Sequence, residues 1–586
     1  MIDRSRQRDI DRALKLFNSG NFNEALELCK KILDSDGKSV VALNIMGVLA
    51  DKKGQLEESV KFFKKAIEFE PQYVDSYSNA AHVLGKLGRF EEAIKICKKS
   101  LELNPNRPAA HNNLGVLYRA IGLSHESIGC YNKAIEQDPN YAEAFNNKAN
   151  SLADLGKLDQ AASSYQKALQ LNRKSSASWS NFLYTINQIS SIDWNEKLKE
   201  AKNFGEVFTA PHRLSAGPKI KNNQKLRIGL VSGDFREHPV GYFLESILTH
   251  LDKSKIELIA YPTNPTEDKL TRRIRPNFFE WKPLFQYSDE IAAEKIQHDR
   301  INILFDLSGH TQFNRLPIFA FRPAPIQVTW LGYFASTGMR EVDYILGDHF
   351  LIPKQEEEHF VENVWRMPNS YLCFTPPSEN VPVNELPAHT NGFVTFGCFN
   401  SMIKITPEVI AAWSKIMNSL PNSKLFLKTK VLVSQEVQRK IEKDFSQLGI
   451  KRSRLILEGW SPRGKLLESY QKVDIALDPF PYPGGTTSAE SLWMGVPVLT
   501  MEGKNFLSRV GETIIRNAGY SNWVASSKDD YIKKAIKFSN DLVALSSLRL
   551  GMREAVLVSP LFNAKLFARN FEAAIETMWE SLEKIN

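Results

Sequence analysis

Between about residues 8 and 175, apolar and small positions recur at helical spacing, and the whole pattern repeats every 34 residues. Gly20, Gly54, Gly88, Gly122 and Gly156 keep that step, and so do Pro71, Pro105 and Pro139. Gly47, Ala81, Gly115 and Ala149 form a third phase, and Ala25, Ser59, Ala93, Ser127 and Ala161 a fourth. Several independent phases at one period mark a chain of like units. In each unit the glycine ends a first helix in a left-handed cap. The small residues let two helices approach closely, and the proline follows the second helix, which it cannot continue. The period fails from about Arg173 to Gln224. SASWSNFLYTINQ and NEKLKEAKNFGEVF still read as helices, and PHRLSAGPKIKNNQ reads as a polar linker. After 224 the pattern changes to short apolar runs separated by helices. LRIGLVSG, ELIAYPT, INILFDLSG, PIQVTWLGY, VDYILGD and VWRMP come first, followed by FVTFGCFN, KLFLKTK, LILEGW, DIALDPF and PVLTM. Such runs predict parallel strands buried on both faces. They fill two doubly wound α/β domains, divided near AHTNG at 388–392.

Thirty-four residues is the length of a tetratricopeptide unit, a pair of antiparallel helices, and the first third of the chain resembles that family. The predicted fold is therefore an α-solenoid over 1–173, a helical junction and linker over 174–224, and two Rossmann-like lobes over 225–388 and 389–586. The last lobe is expected to include a C-terminal helix. A further phase of 34 joins Asn79, Asn113, Asn147 and Asn181. They stand two residues before the small position, on the helix that lines the concave face of such solenoids. Repeated amides there suit the backbone of an extended acceptor peptide. The plainer alternative is that they bridge neighbouring helices.

Composition narrows the class. Of 586 residues, 42% are hydrophobic and 24% charged, as in soluble globular proteins. No uncharged apolar run is long enough to span a membrane. The opening MIDRSRQRDIDRALKLF lacks the apolar core of a secretory signal. Cys29, Cys97, Cys130, Cys373 and Cys398 are scattered without CxxC pairing, which argues against a zinc site and for a reducing compartment. A cytoplasmic protein is expected, with a homo-oligomer left open. The net charge of +8 suits an anionic ligand better than it argues for nucleic acid.

Parallel sheets bind ligands beyond the carboxyl ends of their strands, so candidate residues are sought there. In ALDPFPYPGGTTSAESLWMGVPVLTM a strand ends at Asp478, a Pro/Gly loop follows, and Thr486 or Thr487 is expected to cap a helix. Free N–H groups at a helix start form an anion site. Gly484 and Gly485 let a diphosphate approach the backbone. Glu490, one turn on, suits ribose hydroxyls. His238 in SGDFREHPVGY and His310 in FDLSGHTQFNR follow strand ends in the first lobe, and Asp306 precedes His310 by four. Each is a candidate proton acceptor.

This segment, with RPAPIQVTWLGY, FGCFNSMIKITP and SPLFNAKLF, resembles the O-GlcNAc transferase/SPINDLY family along nearly the whole chain. The resemblance implies the GT-B arrangement of two lobes, a nucleotide-sugar donor, inversion at the anomeric carbon and no metal or other cofactor. It also implies that Lys404 meets the donor diphosphate, that His238 and His310 lie in the active site, and that Arg509 in FLSRVG lies near the donor, with bracing of the sheet as the alternative for Arg509. Lysine suits that role, because departure of a nucleoside diphosphate needs positive charge on the leaving oxygens. Which of His238, His310 and Asp306 accepts the proton stays open.

The chain also departs from the O-GlcNAc transferase pattern. Gly485 stands where that branch has His, Glu490 where it has Asp, Ser401 where it has Gln, and Leu466 near a base-pocket His. These features lie closer to the SPINDLY branch, whose plant members use GDP-fucose. The expectation is transfer of a sugar to Ser/Thr hydroxyls of polypeptides held by the repeats. UDP-GlcNAc is favoured as donor, and GDP-fucose is the alternative. A catalytically inactive repeat scaffold is the rival of another class.

Overall fold

The computed structural model describes residues 4–212, 214 and 225–585. The chain forms two compact units, one up to Arg173 and the other from Lys174 onward. Most of the expected linker over 211–224 lies outside the described residues.

The first unit is a run of paired antiparallel helices, from Arg4–Asn18 to Leu158–Leu171. The period is visible in its physical parts. Helix Val74–Lys86 ends at Gly88, whose φ of +73° is left-handed. There the Gly88 N–H donates to the Gly85 carbonyl (3.0 Å) and the Arg89 N–H to the Leu84 carbonyl (2.9 Å), which satisfies the last turn. Gly115 serves contact rather than conformation. A Cβ built there would stand 2.5 Å from a ring carbon of Tyr131, which is fully buried on helix Ser124–Gln137. Gly115→Val should therefore overpack the pair and cost about 1–3 kcal/mol. Circular dichroism melting should show a lower first transition, and an unchanged melt would refute tight packing there.

The asparagine phase takes a definite geometry. Asn79 Nδ2 donates to Asn44 Oδ1 (3.1 Å), and Asn147 Nδ2 donates to Asn112 Oδ1 (3.0 Å). Each bond joins the first helices of consecutive repeats. Asn113 lies half-buried beside Asn112 on helix Pro108–Ala120. Asn181 lies on helix Ser176–Ile186, in the second compact unit. The amides of Asn79 and Asn147 thus bridge helices, as the plainer alternative holds.

The second unit holds two parallel sheets. The first comprises β1 (Leu226–Ser232), β2 (Ile256–Pro262), β3 (Glu280–Trp281), β4 (Ile303–Asp306), β5 (Ile326–Thr329), β6 (Tyr344–Gly347) and β7 (Asn363–Arg366), in spatial order β3-β2-β1-β4-β5-β6-β7. The second comprises β8 (Thr395–Cys398), β9 (Lys424–Lys428), β10 (Leu455–Glu458), β11 (Ile475–Leu477), β12 (Val498–Met501) and β13 (Val524–Ala525), in order β10-β9-β8-β11-β12-β13. Both orders reverse beside their first strand, which opens a crevice at the carboxyl ends of β1 and β4 and another at those of β8 and β11. Strands such as Ile303–Asp306 and Thr395–Cys398 are buried throughout, which is why they read as unbroken apolar runs.

Two placements depart from the sequence reading. The junction helices Ser176–Ile186 and Trp194–Val207 belong to the second unit and pack on its first lobe. A Cβ on Gly205 would stand 2.2 Å from the Gly338 carbonyl oxygen, so helix and loop meet backbone to backbone. The last helix, Ala564–Ile585, was expected with the second lobe. Its Phe567 instead stacks on Trp330 (5.8 Å), and its Phe571 packs on Phe305 (5.3 Å), both in the first lobe. Aromatic surface on β4 and beyond β5 needs a cover, and this helix supplies it.

Candidate functional site

The crevice of the second sheet is organised by Asp478, the residue after β11. Its buried carboxylate accepts from the Gly484 N–H (2.8 Å) and from Ser488 Oγ (3.2 and 3.3 Å). These bonds pin the loop 479–485 onto the start of helix Thr486–Trp493. Burial raises the Asp478 carboxyl above its usual range, while Gly484 and Lys404 oppose the shift. Gly484 has no room for a side chain, since a Cβ would fall 2.3 Å from Ser488 Oγ and 2.8 Å from Asp478 Oδ1.

The helix start differs from expectation in one respect. Neither threonine is the cap. Gly485 occupies that position and offers no side chain, and Thr486 and Thr487 are the first two helical residues. The first N–H groups of a helix have no partner within it. The Thr486 hydroxyl is buried and makes no hydrogen bond among the described residues. The Thr487 hydroxyl donates to Asn400 Oδ1 (3.1 Å). The same oxygen accepts from Lys404 Nζ (3.2 Å), which also donates to the Pro483 carbonyl (2.7 Å). Lys404 Nζ lies 4.0 Å from the centroid of the Tyr482 ring. Asn400 and Lys404 follow β8, whereas the threonines follow β11. The crevice thus joins an ammonium, a helix dipole and a spare hydroxyl, the elements of an anion site. Burial pushes the Lys404 ammonium down to about 8, against the pull of Asp478.

Glu490 is buried one turn into the helix, and its Oε1 is paired with Arg463 Nη1 at 2.8 Å. The Arg463 guanidinium lies 3.8 Å from the ring centroid of Tyr242, a first-lobe residue. This contact ties the second-lobe crevice to helix Pro239–Leu248 of the first lobe. His238 is the cap of that helix. Its Nδ1 accepts from the Val240 N–H (3.4 Å) and lies 3.5 Å from Asp234 Oδ2. Burial keeps its pKa below the ordinary histidine value, against the pull of Asp234. The side chain remains 35% exposed, which leaves this ring accessible.

Three further expected site residues are each held by protein partners. His310 is 1% exposed, with Nδ1 3.0 Å from Ser180 Oγ and Nε2 3.0 Å from the Thr337 carbonyl. A carbonyl only accepts, so Nε2 carries the proton and Nδ1 accepts from the serine. Burial lowers the ring to about 4. Phe204 and Tyr333 pack edge-on against it. His310 holds the junction helix to the first lobe. Asp306 is also 1% exposed and accepts from the N–H groups of Ser308 (3.1 Å) and Gly309 (2.8 Å) and from Thr329 Oγ1 (2.9 Å). It shapes the turn after β4, and burial raises its carboxyl to about 6. Arg509 makes two bonds of 2.6 Å to Glu356. It clamps the second lobe to the first.

Asn400, Asp478, Arg463 and Tyr242 complete the site beyond the residues singled out from the sequence. Asp478 and Asn400 carry a signal, since Asp478 directly follows β11 and Asn400 stands two residues after β8. Arg463 carries none, because its partners lie 27 residues on and in the other lobe. Among the described residues, no group of three or more His, Cys, Asp or Glu is placed to hold a metal ion. Among the described residues, no helix is long and apolar enough to cross a membrane.

Comparison with known proteins agrees with this geometry. Tetratricopeptide repeat models match residues 52–88, 73–140 and 142–175. The chain is 36% identical over 407 residues to a tomato (Solanum lycopersicum) protein named as a probable UDP-N-acetylglucosamine–peptide N-acetylglucosaminyltransferase, SPINDLY. That alignment covers 68% of this chain and 44% of the relative. An Arabidopsis thaliana protein of the same kind, named SEC, is 27% identical over 416 residues, covering 68% of this chain and 42% of the relative. The chain thus spans less than half the length of these curated relatives. A solved structure of a mutant O-GlcNAc transferase from Thermobaculum terrenum superposes with a TM-score of 0.80 at 32% identity, covering 88% of this chain and 98% of the other. The model for glycosyl transferase family 41 matches residues 207–375 and 384–571, more than half of the chain. With both lobes and the crevice inside that match, the chain belongs to glycosyl transferase family 41.

Proposed function

We propose that the protein transfers a sugar from a nucleoside-diphosphate donor to hydroxyl groups of polypeptides. The observation that carries this reading is the Lys404–Asn400–Thr487 linkage at a helix start beside the unpartnered Thr486 hydroxyl. The diphosphate lies on the N–H groups of Thr486 and Thr487, with Gly484 and Gly485 allowing close approach and Lys404 facing the leaving oxygens. Glu490 holds the ribose through the carboxylate oxygen not given to Arg463. The acceptor hydroxyl attacks the anomeric carbon from the face opposite the diphosphate. The C–O bond to the leaving group breaks as the new one forms, and the configuration inverts. His238, whose ring stays accessible, takes the hydroxyl proton at Nδ1, which gives up the Val240 N–H bond and is left facing Asp234. Positive charge from Lys404 and the helix dipole serves the leaving group without a metal. The repeat array holds the acceptor polypeptide. UDP-GlcNAc is the favoured donor, in keeping with the names of the relatives.

The decisive test is a panel of radiolabelled nucleotide sugars incubated with acceptor lysate in EDTA. Label in protein from UDP-GlcNAc supports the reading as stated. Label only from GDP-fucose moves the donor and keeps the enzyme. Label confined to lipid or free glycan defeats the polypeptide acceptor. No turnover of any donor leaves a repeat scaffold.

Two further outcomes are expected. His238→Ala should lower kcat by about 10²-fold with at most a small loss of Tm from the lost helix cap, whereas His310→Ala should chiefly lower Tm, because it leaves the Ser180 hydroxyl and the Thr337 carbonyl without their ring partner and opens a cavity. The reverse pattern would exchange their roles. Nucleoside-diphosphate affinity, measured by calorimetry, should be flat below pH 8 and then fall. The ligand binds the protonated lysine, the free ammonium titrates near 8, and the bound diphosphate raises that value. Between pH 7 and 9 the loss should be about tenfold, and Lys404→Arg should flatten it. An undiminished slope in that variant assigns the titration elsewhere.

A further inference from the structure

Within the second unit, the two lobes and helix Trp194–Val207 line an open cavity of about 440 Å³. Trp194 and Lys197 of that helix, Phe360 of the first lobe, and Phe480, Pro483 and Lys504 of the second contribute to its wall. None of His238, Lys404, Thr486, Thr487 and Glu490 lines it. Its connection to the donor crevice is Pro483, whose carbonyl accepts from Lys404 Nζ at 2.7 Å. A single residue therefore separates the cavity from the lysine ammonium.

The charge balance of the wall is unusual. Its two glutamates are neutralised by partners: Glu408 pairs with Lys528 (2.8 Å) and Glu502 with Arg516 (2.9 Å). Its two lysines are not. Neither Lys197 nor Lys504 forms an ion pair among the described residues. His359, also in the wall, stacks on Trp194 at 4.2 Å, and burial holds it below the ordinary histidine value. Burial likewise depresses the Lys197 ammonium, against the pull of Asp193. Lys197 is half-buried and Lys504 exposed; with no carboxylate in ion-pair contact among the described residues, the half-buried ammonium gains most from an incoming carboxylate. Aromatic surface from Trp194, Phe360 and Phe480 adds an apolar wall beside that charge.

We propose that this cavity is an acceptor subsite, which takes an aspartate or glutamate flanked by an apolar residue. The acid would lie a few positions from the hydroxyl that receives the sugar. An extended chain advances about 3.3 Å per residue, so a carboxylate two to four residues away spans from the donor loop into the cavity. A chain segment is favoured over a free acid because the wall offers an apolar face beside the charge and shares Pro483 with the donor loop. The inference rests on the polypeptide-acceptor reading above.

The test uses the full-length protein, the donor found active in the panel, and a Ser/Thr-centred peptide library with randomised flanks. Glycosylated wild-type products should be enriched in Asp and Glu about three- to tenfold, the range of one or two partly exposed charge pairs. Lys197→Ala/Lys504→Ala should abolish the enrichment while donor hydrolysis and Tm stay at wild-type values. Lys197→Glu/Lys504→Glu should turn the preference toward Lys and Arg. Wild-type products without acidic enrichment, or enrichment that survives the double substitution, would overturn the subsite alone. Hydrolysis without any peptide product would instead defeat the polypeptide-acceptor reading, and the subsite with it.

Discussion

Lys404→Ala is expected to lower kcat by about 10²–10³-fold, the usual cost of removing one preorganised group from developing charge. The ammonium is held from two sides, by the Asn400 side chain and the Pro483 carbonyl, and rests against the Tyr482 ring. None of these neighbours can replace its charge. After truncation only the helix start faces the leaving diphosphate. The fold should not suffer. A buried ammonium costs solvation, as its lowered pKa records, and Asp478 keeps its Gly484 and Ser488 bonds without it. Single-turnover kinetics beside a thermal melt separate the two effects. A kcat within about threefold of wild type would remove Lys404 from the chemistry. Lys404→Arg should recover part of the rate, since the charge returns with a different shape.

Gly484→Ala is the second large effect. The new methyl would overlap Ser488 Oγ, Thr487 Oγ1 and Asp478 Oδ1, all within 2.8 Å of the Cβ position. Flexible side chains usually yield to such a group. These are hydrogen-bonded to one another or to Asn400, so yielding breaks the network that holds the helix start. Activity should fall at least about 10²-fold, because displacement by about 1 Å suffices for that. The cost to stability should be about 1–3 kcal/mol. Donor affinity should weaken along with kcat, which distinguishes this variant from His238→Ala. Normal donor binding would show that the loop can accommodate the methyl without moving the threonines.

Much of this architecture was legible before any coordinates. The repeats declare themselves because each unit contacts only its neighbours, so one sequence period is one structural unit. The strands declare themselves because both faces are buried. Gly484, Gly485 and Lys404 stand out for a related reason: a strand end, a turn and a helix start are local events. What stayed hidden depends on distant partners. His310 reads as an open strand-end histidine until Phe204, Tyr333 and Ser180 are brought around it from three separate segments. Arg509 reads either as a residue near the donor or as a brace, and its partner Glu356, 153 residues earlier, is not visible locally. Arg463 matters only through Glu490 and Tyr242. The capping error was smaller and local: threonine is the better cap in isolation, but the Asp478 bonds to Gly484 and Ser488 set where the helix begins.

The return of helix Ala564–Ile585 to the first lobe has a consequence during synthesis. The surface it covers, Trp330 and Phe305, is translated more than 230 residues before Phe571. At about 5–20 residues per second, that aromatic surface waits roughly ten to fifty seconds for its cover. The second lobe emerges entirely within that interval. The nascent first lobe is therefore a natural client for chaperones that bind exposed apolar surface, and loss of helix Ala564–Ile585 would injure the lobe made first.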